Sequence, residues 1–76
     1  FAAYPNPTHG VIEIAAPTLK TEIAIELYNL KGQLISKGVY SVLNGKVSLN
    51  LEKESAGVYF AKVHLETPVS VTIVKE

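Results

Sequence analysis

Between residues 22 and 28, apolar and polar positions alternate strictly. Ile23, Ile25 and Leu27 share one face, and Glu22, Ala24, Glu26 and Tyr28 share the other. A helical period of 3.6 would mix these two sets, so the segment reads as a half-buried strand. The same period recurs along the chain. Ile12 and Ile14 flank Glu13; Tyr59, Ala61, Val63 and Leu65 oppose Val58, Phe60, Lys62 and His64; Val69, Val71 and Ile73 alternate with Ser70, Thr72 and Val74.

Turn chemistry separates these runs. Gly32 stands where a three-residue hairpin loop needs a left-handed residue, which predicts a loop over 30–32. That loop pairs Asn29 with Gln33, Tyr28 with Leu34 and Leu27 with Ile35, and so brings two apolar residues together on the core face. Lys37-Gly38 predicts a bend or bulge before Val39. Asn44-Gly45 is the dipeptide of a type I′ hairpin. It pairs Leu43 with Lys46, Val42 with Val47 and Tyr40 with Leu49, and sets Gly38 facing Leu51. Gly57-x-Tyr59 at the head of a late strand predicts a tyrosine corner.

About seven short strands with a turn roughly every ten residues indicate an all-β fold, an antiparallel β-sandwich with Ig-like topology. The expected core is Ile12, Ile14, Ile23, Ile25, Leu27, Ile35, Val47, Leu49, Leu51, Tyr59, Val63, Val71 and Ile73. The first or last strand is expected at a sheet edge. An edge there can serve as a docking strip for another protein or pair with a second copy.

Composition narrows the function classes. The chain has 76 residues, seven basic and seven acidic, spread without a basic patch, so a nucleic-acid partner is set aside. It has no cysteine, hence no disulfide staple, thiolate metal site or cysteine nucleophile. No run is long enough to span a bilayer as a helix, and an export signal, if the protein is exported, is expected outside this chain. His9 and His64 have no third ligand at a familiar spacing, and the serines sit on strands or in a charged loop. The glutamates read as solvated surface. No cofactor or metal is expected, and no catalytic constellation emerges.

The segment Tyr4-Pro5-Asn6-Pro7-Thr8-His9-Gly10 is a stiff, donor-poor entry to the first strand. Its two prolines fix φ and remove two backbone donors, and Gly10 is expected to be free to take a positive φ. This segment, together with Ile25-x-Leu27-Tyr28-Asn29-x-x-Gly32 and 56–63, carries a resemblance. In their order and spacing, and with Val71-Thr72-Ile73-Val74-Lys75 near the end, they resemble the type A C-terminal sorting domain of the type IX secretion system of Bacteroidota. On that resemblance, residues 1–3 are the end of an upstream linker and 4–76 are the sorting domain.

The resemblance implies a secretion signal and no enzyme. It implies an N-terminal cargo domain, passage through the periplasm, recognition by outer-membrane translocon components, and removal by a sortase-like cysteine protease upstream of the opening motif. The cargo is then expected at the cell surface or secreted. Pro5, Asn6, Pro7 and Gly10 are the expected shaped corner, and Gly57, Tyr59, Lys62 and Lys75 the expected docking sheet. The competing reading is an Ig- or fibronectin-like accessory module that binds carbohydrate or protein. Its candidate exposed aromatics are Tyr28 and Phe60.

Overall fold

The computed structural model describes every residue except Phe1, Ala2, Pro5, Asn6 and Pro17. Its strands are β1 (Ala3–Tyr4), β2 (Val11–Ala15), β3 (Glu22–Asn29), β4 (Leu34–Ser41), β5 (Lys46–Asn50), β6 (Gly57–His64) and β7 (Val69–Lys75). They form two antiparallel sheets, ordered β1-β2-β5 and β4-β3-β6-β7. The fold class expected from the alternation is present, with β4 joined to the larger sheet as in Ig-type sandwiches that carry a fourth strand there.

Six strands of five or more residues build the sandwich, and β1 is a two-residue pairing. The bend or bulge expected at Lys37-Gly38 is absent, and strand β4 runs straight through Gly38. The irregularity lies earlier. The loop over 30–32 forms as expected, with Gly32 at φ 85° and Tyr28 opposite Leu34, but the register then shifts and Leu27 faces Ser36 rather than Ile35. Ile35 is the extra residue of a bulge.

The bulge has a packing reason. Without it, Lys37 would sit opposite Ile25 on the core face. With it, Gly38 takes that place and Tyr40 pairs with Ile23. Lys37 stays in water, and Tyr40 packs against the core. Asn29 anchors the loop. Its Oδ1 accepts from the amides of Lys31 and Gln33 at 3.0 and 2.9 Å.

The Asn44-Gly45 turn also forms, with φ 53° and 73° and reciprocal bonds between Leu43 and Lys46. The hairpin it predicts stops there. Beyond Leu43–Lys46 the two strands separate into different sheets, so Val42–Val47, Tyr40–Leu49 and Gly38–Leu51 are not ladder pairs. The alternation that places these residues on one face is satisfied across the sandwich instead of along a hairpin. Apolar side chains of both sheets then share one core.

That core is Ile12, Ile14, Ala16, Ile23, Ile25, Leu27, Val47, Leu49, Leu51, Tyr59, Ala61, Val63, Val71 and Ile73. Ile35 is half-buried because its bulge lies at the edge, while Ala16 and Ala61 join the core.

Candidate recognition surface

The opening segment is a seam between the two sheets. Tyr4 pairs with Glu13 of β2, and the Lys46 ammonium lies 5.5 Å from the centre of the Tyr4 ring. Contact with Tyr4 holds the Lys46 amine above its ordinary pKa. Four residues on, Thr8 crosses to the other sheet. Its amide donates to the Val74 carbonyl at 2.8 Å, and its carbonyl accepts from the Glu76 amide at 2.8 Å, a parallel bridge to Lys75. Gly10 returns to the smaller sheet, where its carbonyl accepts from the Leu51 amide at 2.7 Å.

Thr8 is the pivot of this seam and is 1% exposed. Its hydroxyl donates to the Val11 carbonyl at 2.7 Å and accepts from the Gly10 amide at 3.2 Å. Sequence reasoning passed over it. The available signal was a threonine placed two residues before a glycine, where its hydroxyl can cap the turn.

Gly10 is buried and is not among the residues with positive φ. Glycine is required there by crowding, not by backbone hand, which corrects the expectation. A Cβ at Gly10 would lie 2.5 Å from the Glu52 Cγ. Glu52 is itself held by Asn50, through Nδ2 to Oε1 at 2.9 Å and its own amide to Oδ1 at 2.8 Å.

The other expected site residues divide into groups. Pro5 and Asn6 lie outside the described residues. Pro7 is exposed beside Thr8. Lys75 is half-buried and faces both Thr8 and Gly57, so the opening corner and the head of β6 meet through the last turn of β7. Tyr59 is buried among the core residues, and its hydroxyl donates to the Ser55 carbonyl at 2.6 Å. The tyrosine corner is therefore present, and its side chain lies in the core rather than on the outer face of the sheet. Lys62 stands apart. It lies opposite Glu26 and Ser70, five residues along β6 from Gly57, about 17 Å away at the rise of a strand.

The outer face of the larger sheet has two bands. One row runs Leu34, Tyr28, Phe60, Thr72 across four strands, with Val58 and Val74 paired beside it. This apolar band borders the seam. The next row runs Lys37, Glu26, Lys62, Ser70. From beside Ala24, the His64 Nε2 reaches to 2.7 Å from the Glu26 Oε1 of this row, a contact the reading of the glutamates as solvated surface missed. The hydrogen bond from His64 holds the Glu26 carboxyl below its usual range, against a smaller opposing effect of desolvation. Desolvation, reinforced by the Glu26 charge, raises the Tyr28 phenol.

Among the described residues, no three His, Cys, Asp or Glu side chains cluster as metal ligands. No helix among the described residues is long and apolar enough to cross a membrane. The surface offers a stiff corner, a strand end and a flat apolar band, which suit recognition of shape by another protein.

Searches among curated proteins and among solved structures found no match. A family model described as the secretion system C-terminal sorting domain matches residues 2–76, and nothing in the comparisons supports the accessory binding module. With that match running from before the opening seam to the end of β7, the chain belongs to the family of type IX secretion C-terminal sorting domains.

Proposed function

We propose that this domain acts as a folded address, read by outer-membrane components of the type IX translocon after the cargo has entered the periplasm. The family match over 2–76 carries the reading. The joining of the opening motif to the closing strand through Thr8 and Lys75 supports it, because that bridge makes two distant motifs one surface. Pro5, Asn6, Pro7, Gly57 and Lys75 are the residues we assign to contact with the translocon. Gly10 and Tyr59 hold the corner in shape, and Lys62 contributes from the charged row. The domain performs no reaction of its own.

A sortase-like cysteine protease then separates the cargo from the domain. Proteases take their substrates as extended, unpaired chain, and Ala3 and Tyr4 are paired with Ile14 and Glu13. The cut accordingly falls on the N-terminal side of that pairing. Where a second copy pairs with this domain, it uses the open edge at β4 rather than the end of β7 that Thr8 covers.

Charge reversal at exposed Lys62 and half-buried Lys75 tests the reading without removing core residues. Lys75→Glu, Lys62→Glu and the double variant, each behind an exported reporter, should keep their melting temperatures and lose surface delivery several-fold, with Lys75→Glu the more severe single change. Normal delivery by the folded double variant would contradict the proposed contacts.

A further inference from the structure

The four strands at sheet edges are not equally open. They are β1 and β5 in the smaller sheet, and β4 and β7 in the larger. On β7, Thr8 occupies the Val74 carbonyl and the Glu76 amide. On β4, the Val42 amide donates to the Thr21 carbonyl at 2.8 Å, which sets the phase of the ladder with β3. Hydrogen-bonded pairs recur every second residue, so the backbone groups of Ser36, Gly38 and Tyr40 face β3, and those of Lys37, Val39 and Ser41 face away.

Of the features that usually blunt an edge, strand β4 carries a bulge at one end, at Ile35, and a lysine, Lys37; from Ser36 to Ser41 its ladder with β3 is regular. The strand is eight residues long and carries a single charge, Lys37. Exposed apolar side chains lie along it and just beyond it: Leu34, Val39 at 67% exposure, and Leu43 at 71%.

We propose that this edge pairs with the same edge of a second copy, β4 antiparallel to β4 about a two-fold axis at Val39, so that two four-stranded sheets become one of eight. This deepens the reading of edge pairing given above. The strand is complementary to itself in that register. Val39 meets Val39 and Lys37 meets Ser41, in the regular stretch between the bulge at Ile35 and the turn that engages Leu43. Residues of the same parity face each other, so the core side of one sheet continues into the core side of the next. An axis at Lys37 would set two ammonium groups directly opposite, which is unfavourable.

The chain contains no cysteine, which makes a single-thiol test clean. In the proposed register the two Val39 Cα atoms are about 5.5 Å apart, within the span a disulfide bridges. Sedimentation velocity on residues 1–76 over a wide concentration series should show a reversible monomer–dimer equilibrium. Val39→Pro removes a donor that faces away from β3, and should abolish the dimer while the strand signal in circular dichroism is kept. Val39→Cys should oxidise readily to a covalent dimer, whereas Leu19→Cys, at a fully exposed site off the edge, should not. A monomer at every concentration would overturn the proposal, as would a dimer that survives Val39→Pro. Should Val39→Pro fail to fold, equal cross-linking at positions 39 and 19 overturns it. None of these readouts involves secretion, so their outcome is independent of the sorting function.

Discussion

At Gly10 one missing side chain lets the opening segment approach the loop after β5. A methyl group there would meet the Glu52 Cγ, and Glu52 is braced by Asn50. Gly10→Ala should therefore destabilise the domain by about 1–3 kcal/mol, the range for overpacking a well-filled site. Glu52→Ala in the same chain should recover part of the loss. Urea unfolding of the two single variants and the double variant measures this coupling. Also at this scale, Glu26 links the outer face to pH. His64, Lys62 and Tyr28 act on its carboxyl, and the net effect lowers its folded pKa. A carboxyl with a depressed folded pKa adds stability that is present above its unfolded value and is lost as pH falls through the folded one. Stability should thus decline as pH drops below the ordinary value of 4.5, and Glu26→Gln should flatten that part of the profile. Denaturant midpoints across acidic pH check it.

At the scale of elements, the seam is held by few bonds, and most of them converge on Thr8. Thr8→Val keeps the shape but removes the hydroxyl that serves the Gly10 amide and the Val11 carbonyl. Leaving a buried amide unpaired costs about 1–3 kcal/mol. The amide of Glu76, bonded to the Thr8 carbonyl, should then exchange with solvent faster than in the parent. Unchanged exchange there would mean the end of β7 is held by something else. Periodicity made β3, β6 and β7 readable in the sequence, since Ile23, Tyr59 and Ile73 lie on alternations longer than a turn. Gly32 and Asn44-Gly45 announced their turns because each needs a positive φ. Two features were hidden. The bulge at Ile35 arises because Lys37 must avoid the core, which is a fact about the opposite strand. The Thr8 bridge joins residues 67 positions apart (75 − 8), and no local pattern reports such a meeting.

For the whole molecule, alternation and turn spacing suffice for a sandwich because every strand has one apolar face and the two sheets bury those faces against each other. They do not decide which strands pair. Strands β4 and β5 share the tightest turn and yet part into different sheets, so a hairpin expected from Asn44-Gly45 is a corner of the sandwich. For the candidate surface, the sequence located the stiff corner and the strand head separately, and the fold unites Pro7, Gly57 and Lys75 at one end while leaving Lys62 in the middle of the larger sheet. An address built this way depends on the folded domain as a whole, and should work behind an unrelated cargo. The direct measurement is the location of an exported reporter carrying residues 1–76 at its C-terminus, in a host with a working type IX system. The reporter should appear at the cell surface or in the medium, and retention in the periplasm would contradict the account.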